Sequence, residues 1–175
     1  MNSLKEYRHE NGDQINTEKL IAPLMPLNNY KNSHRYLVIA CHDVFIKYNN
    51  GILLTTRTDY PAKDILCPVG GRILKGISTE ESLKKKVTEE TNLKINNIKY
   101  IGVGRTFFKT DPFDHGYGTD TLNLIYFAEG EGTLKLNDSH KNPEFVTLEK
   151  YTDDFRKNLH PYVRDYMDIA INLTK

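Results

Sequence analysis

Between Pro68 and Leu93 the chain reads PVGGRILKGISTEESLKKKVTEETNL, a glycine pair and an arginine followed by a helical pattern that closes on two adjacent glutamates. Gly70 and Gly71 carry no Cβ, so the backbone there can approach a ligand closely and offer a carbonyl to a cation or an amide to an anion. Arg72 adds a planar cation able to fork onto phosphate oxygens. Glu89 and Glu90 beside a free carbonyl are hard oxygen donors, the kind that Mg²⁺ or Mn²⁺ prefers, with water and substrate phosphate completing the shell. These types at this spacing point to phosphate and metal chemistry.

A helix must carry the glutamates back toward the glycine loop. Ser78, three residues before Glu81, makes the reciprocal capping pattern, and Leu83 and Val87 follow as a buried stripe. Asn92 tolerates the left-handed conformation that closes a helix. The spacing therefore predicts a helix from near Thr79 to Asn92, with Lys85 and Lys86 each four residues before a glutamate. Taken singly, a glycine pair is only a turn and two glutamates at a helix end are only a solvated face.

Taken together, the segment resembles the Nudix box: Gly, five residues, Glu, seven residues, Arg-Glu-apolar-any-Glu-Glu-any-Gly-apolar. Aligned on Gly71, the pattern ends on Glu89, Glu90 and Leu93 and departs at Ile77, Lys85, Lys86 and Asn92. The change at Lys86 removes a glutamate that often serves as metal ligand or base. The chain is most similar to the GDP-mannose mannosyl hydrolase branch, through RTDYPA at Arg57 to Ala62, GGRILK at Gly70 to Lys75, GTD at Gly118 to Asp120, and DSH at Asp138 to His140. That resemblance implies glycosyl transfer to water, with a nucleoside diphosphate as leaving group. It implies His140 as base, Arg57 and Arg72 as neutralisers of the diphosphate, and Asp43 at the substrate pocket. The metal would sit on Gly70, Glu90 and, less securely, Ser139. Glu89 is present although that branch often lacks it, which leaves open ordinary pyrophosphate cleavage to a monophosphate and a sugar phosphate. Lys86 and Ile77 also leave open a nucleotide-binding module without turnover. His115, in TDPFDHGYGTD, competes with His140, because that aromatic, glycine-rich loop could close over a ligand.

Composition agrees with one enzyme domain. The 175 residues with 38% hydrophobic content suffice for one well-buried core. A net charge of +1 with interspersed signs gives no footprint for a nucleic-acid backbone or an anionic membrane. The polar N-terminus lacks the apolar core of a signal peptide and no run is long enough to span a bilayer, so a cytoplasmic location is expected. Cys41 and Cys67 are not at metal-ligand spacing and read as buried or semi-buried free thiols. Several of the 11 tyrosines, Tyr60 and Tyr117 among them, fall near the expected pocket, where they could stack on a base or sugar.

Strands are predicted over Tyr36 to Tyr48 and Ile52 to Arg57, joined by the hairpin signal Asn49-Asn50-Gly51, then over Ile98 to Lys109, Leu122 to Glu129 and Phe145 to Leu148. Helices are predicted over Tyr151 to Leu159 and Tyr162 to Leu173. Helices in two places around a mixed β-sheet suggest an α/β/α sandwich, which the Nudix resemblance implies as well. Residues 1–34 are expected to form an arm, extended because two prolines interrupt LIAPLMPLNN, and residues 35–175 a single domain. The arm could cover the edge of its own domain or that of a second subunit in a homodimer.

Overall fold

The computed structural model describes residues 4–174. Near the N-terminus, β1 (His9–Glu10) and β2 (Asp13–Gln14) form a small hairpin, followed by a 3₁₀ turn at Thr17–Leu20. The helix α1 (Leu27–Tyr36) then begins directly after Pro26, which occupies its N-cap. The extended-arm expectation is thereby corrected. The prolines forbid a helix only through position 26, and the following residues are free to coil. Because α1 runs to Tyr36, the first long strand starts at Ile39 rather than Tyr36.

A seven-stranded mixed sheet carries the domain. Its strands are β3 (Ile39–Tyr48), β4 (Gly51–Arg57), β5 (Leu66–Cys67), β6 (Val69–Arg72), β7 (Lys94–Phe108), β8 (Thr119–Glu131) and β9 (His140–Val146). The order β5-β4-β3-β8-β7 contains one parallel pairing, β3 with β8, while β6 adds to β3 and β9 to β4. The β3–β4 hairpin stays paired only from Tyr48↔Gly51 to Ile46↔Leu53. Beyond that point the two strands part, and β6 takes the edge of β3 through Cys41–Val44 while β5 and β9 take β4. This split opens the sheet where the predicted site residues lie.

Alternate side chains fill two cores, as the period of a strand requires. Phe45, Ile52, Leu54, Ile125 and Phe127 face one way and pack on Val163, Met167 and Ala170 of α4 (Pro161–Asn172), with Phe155 of the short α3 (Asp153–Lys157) at the margin. Val44, Ile46, Leu53, Tyr126 and Ala128 face the other way and pack on Leu83 and Val87 of α2 (Thr79–Thr91). The result is the α/β/α sandwich.

Local signals set α2. The Ser78 hydroxyl accepts from Glu81 N, and Asn92 closes the helix at φ 60°. Ser82 adds a stitch, accepting from Leu74 N at 2.9 Å and lying 2.8 Å from His42 Nε2, which joins helix, loop and β3. β9 begins five residues before the predicted Phe145, so His140 is its first residue and not part of a loop.

Candidate active site

The Gly-Gly-Arg stretch is strand β6, not a loop, and neither glycine has a positive φ. Glycine is required at position 70 for space. A Cβ there would stand 2.1 Å from Asp43 Oδ1 and 2.3 Å from the His42 carbonyl. At Gly71 a Cβ would press on the Lys86 stem at 3.2 Å. The bare backbone thus lets β3 and α2 close on β6 from both sides.

Gly70 N–H leaves β6 toward α2 and donates to Glu90 Oε2 at 3.3 Å. In an extended strand the carbonyl of the same residue leaves on the same side. The Gly70 carbonyl and the Glu90 carboxylate therefore share one edge. The Glu90 side chain is 8% exposed, whereas Glu89 is 61% exposed. Adjacent helical residues do not face each other, so only Glu90 turns inward and Glu89 is left at the surface. Lys86 bridges them, its Nζ 3.2 Å from Glu89 Oε2 and 4.0 Å from Glu90 Oε1.

Arg57 ends β4 opposite His140 in the β4–β9 pairing. Its Nε is buried without a hydrogen-bond partner among the described residues. Arg72 ends β6, with its guanidinium 3.7 Å from the centre of the Tyr30 ring, a cation–π contact that holds it in place. Both arginines line one cavity of about 560 Å³, together with Gly70, Gly71, Lys86 and Glu90. Tyr30 and His34 of α1, Pro112 and Phe113 of the β7–β8 loop, and Tyr60 are among the residues of its walls, with the exposed Asp59 and Lys63 at the β4–β5 connection.

His140 differs from its expected place in an open loop. Its side chain is 0% exposed and sits behind Glu90. Nδ1 is 2.7 Å from the Thr55 hydroxyl. Nε2 stands 3.1 Å from Glu90 Oε2 but off the line of a straight hydrogen bond, so it has no hydrogen-bond partner among the described residues. Ser139 is tied through its backbone to Thr58 and Asn137 and does not line the cavity.

Asp43 lies partly buried against Gly70, in a smaller adjoining recess of about 150 Å³ that also shares Arg57 and Gly71. Tyr162 of α4 donates its hydroxyl to Asp43 Oδ2. Burial raises the Asp43 pKa to about 6 despite that hydrogen bond, with the Glu90 charge adding to the rise and Arg57 opposing it. An acid with a folded pKa above its unfolded value contributes most to stability in its protonated form. That contribution is lost as the pH rises from about 4 to about 6. Asp43→Asn should therefore gain stability relative to the parent between pH 4.5 and pH 7, read as a growing difference in urea midpoint. A constant difference would remove Asp43 from the titration.

The thiols are as expected: Cys41 is buried and Cys67 half-buried, both free, and burial pushes each pKa up to about 12. His115 does not line the cavity; it joins the β7–β8 loop to α1 through His34, 2.9 Å away. Tyr162, Thr55, Tyr30 and His34 escaped the sequence reading. Among the additional cavity residues, Lys86 had a signal in its position in the box, and Thr58, Asp59, Tyr60 and Pro61 in the RTDYPA segment.

A strand–glycine–helix unit placing an inward glutamate beside two arginines defines a Nudix-type site, and the NUDIX domain family model matches residues 41–166. The chain belongs to that family. It is 25% identical over 126 residues to the low-salt glycan biosynthesis protein Agl8 of Haloferax volcanii, covering 72% of this chain and 78% of the relative. It is 29% identical over 125 residues to the ADP-ribose pyrophosphatase of Methanocaldococcus jannaschii, covering 70% and 71%. Among solved structures, the MutT NUDIX hydrolase from Burkholderia pseudomallei superposes with a TM-score of 0.59 at 16% identity, over 74% of this chain and 95% of that one. Among the described residues no helix is long and apolar enough to cross a membrane.

Proposed function

We propose that this Nudix hydrolase cleaves a nucleoside diphosphate sugar, with GDP-mannose the first candidate, by attack of water at the sugar carbon and departure of the diphosphate. The observation that carries this reading is the convergence of Arg57, Arg72 and Lys86 on one cavity with Gly70 and Glu90. With Lys63 also on the wall, four cations against the two carboxylates of Glu90 and Asp59 suit a leaving group that gains negative charge, and fixed charges of this kind need no reorganisation during reaction. The relationship to a glycan biosynthesis protein supports a sugar nucleotide.

In the proposed step the water oxygen bonds to the anomeric carbon, and the carbon–oxygen bond to the diphosphate breaks. The electron pair leaves with the diphosphate, which Arg57 and Arg72 receive. The water proton passes to the Glu90 Oε2–His140 Nε2 pair, where Thr55 orients the imidazole. Glu90 divides its two oxygens: Oε2 accepts from Gly70 N–H and stands 3.1 Å from His140 Nε2, while among the described residues Oε1 meets Lys86 alone, at 4.0 Å. That free oxygen and the Gly70 carbonyl fit a hard divalent ion such as Mg²⁺. When bound, the ion would neutralise phosphate oxygens. Glu89 and Ser139 have no place in this ligand set, whereas Asp43 borders the recess that would take the sugar.

A second reading, pyrophosphate cleavage, is favoured by the similarity to an ADP-ribose pyrophosphatase. Hydrolysis of a nucleotide-sugar panel in Mg²⁺ and ¹⁸O-labelled water separates the two. Label is expected in the free sugar, and label in a monophosphate would establish attack at phosphorus. No turnover alongside tight nucleotide binding would make the protein a binding module. His140→Gln should lower kcat by about 10²-fold or more, whereas an unaltered rate would exclude His140 from proton transfer. A homodimer is also proposed, supported by the exposed apolar residues Leu24, Met25 and Leu27 at the start of α1 and Leu37 and Val38 after its end. Light scattering that gives a monomer mass would refute it.

A further inference from the structure

We infer that α1, with the β7–β8 loop latched to it, forms a wall that recognises the nucleoside base through His34 and Phe113. This rests on the reading of the cavity as a nucleoside diphosphate site and assigns the part of the ligand that the arginines do not hold. The helix spans Leu27–Tyr36, whereas the family match begins at residue 41, so the α1 half of this wall lies outside the matched domain and the loop half inside it.

Three rings meet edge to face at this end of the cavity. Phe113 lies 5.3 Å from His34 and 5.2 Å from Tyr30, at interplanar angles of 88° and 89°. Tyr30 and Phe113 are only partly buried, so ring surface remains open at the wall. Open aromatic surface beside a diphosphate cradle suits a planar base, since stacking tolerates any heteroaromatic ring.

A chain of hydrogen bonds sets the polar edge of the wall. Asp111 accepts from the backbone N–H groups of Phe113, His115 and Gly116, which shapes the loop. Tyr117 N–H donates to His115 Nδ1 at 3.2 Å, so neutral His115 carries its proton on Nε2. That N–H donates to His34 Nδ1 at 2.9 Å, which places the His34 proton on Nε2. No protein group among the described residues pairs with that Nε2–H. Burial lowers the His34 pKa, which favours the neutral ring. A neutral donor among aromatic rings matches a carbonyl or ring nitrogen of a base, while the charged Arg57 and Arg72 match phosphate.

The test measures binding of ADP, GDP, UDP, CDP and inorganic pyrophosphate, each with Mg²⁺, to the intact protein and to His34→Ala and Phe113→Ala. At least one nucleoside diphosphate should bind about tenfold or more tightly than pyrophosphate. Both variants should reduce that advantage to within about threefold while leaving pyrophosphate affinity unchanged. His34→Gln, which keeps an N–H, and Phe113→Tyr, which keeps the ring, should restore most of it. Tyr30 is set aside because it also stacks on Arg72. Equal affinity of the parent for pyrophosphate and every nucleotide would overturn the inference, as would equal loss of both ligands in the alanine variants. Nucleotide binding without pyrophosphate binding, lost in the two alanine variants, would support the wall and refute the diphosphate cradle. No binding by any probe would refute both.

Discussion

Gly70→Ala is expected to cost about 3 kcal/mol of stability or more, at the upper end of what overpacking a close contact does, and to abolish turnover. The added methyl would lie 2.1 Å from Asp43 Oδ1 and 2.8 Å from Asp43 Cα. A side chain alone could rotate aside, but the third contact is the His42 carbonyl at 2.3 Å, which belongs to the β3 backbone. Relief therefore requires β6 to move off β3. That displacement would carry Gly70 N–H away from Glu90 and Arg72 away from the cavity. Urea unfolding followed by circular dichroism reads the stability, and the nucleotide-sugar assay reads the activity. A variant within about 1 kcal/mol of the parent would show that β6 can shift freely, against the close packing described.

Glu90→Gln is expected to do the opposite: to spare the fold and remove the reaction. The amide oxygen can still accept from Gly70 N–H, and the side chain keeps its volume between β6 and His140. Stability should stay within about 1 kcal/mol. The lost charge, however, serves the proposed cation site as well as the Lys86 contact and the His140 pair. A fall in kcat/KM of about 10³-fold is expected, the scale of losing one preorganised electrostatic group. Glu89→Gln provides the contrast. Its carboxylate is at the surface, and its contact with Lys86 is of the exposed kind that contributes little, so activity should stay within about twofold. Persistence of Mg²⁺-dependent hydrolysis in Glu90→Gln, or a large loss in Glu89→Gln, would reverse the roles of the two glutamates.

That reversal bears on how the two residues differ at all. In the sequence they are neighbours of one type, and both qualify as ligands. Their separation comes from the helix, which turns adjacent residues to different faces, and from the docking of α2 that makes one face the inside. Leu83, Val87 and Glu90 lie on the packed side of α2, and Lys84 and Glu89 on the exposed side. The stripe of Leu83 and Val87 was legible, yet the identity of the inward glutamate waited on the depth at which Gly70 meets the helix.

The sequence by itself determined the elements whose causes are local. Ser78 and Asn92 bound α2 by capping, Asn49-Asn50-Gly51 made the β3–β4 hairpin, and unbroken apolar runs in β3, β4 and β8, whose successive side chains point to opposite faces, prepared two faces for two layers. It also placed Gly71 and Arg72 at the head of the box, whose spacing is a local property, whereas Arg57 lies outside the box and reaches the cavity only because β4 runs beside it. Tertiary structure decided what depends on partners far along the chain. Gly70 and Gly71 are strand rather than loop because β3 offers them an edge where it parts from β4. His140 is buried rather than exposed because β9 pairs with β4 and brings it opposite Arg57 and against Glu90. His34 meets His115 across 81 residues because α1 folds onto the β7–β8 loop. A residue type and its near neighbours specify backbone preference and polarity, whereas burial, orientation and the pairing of charges are set only when distant segments close upon one another.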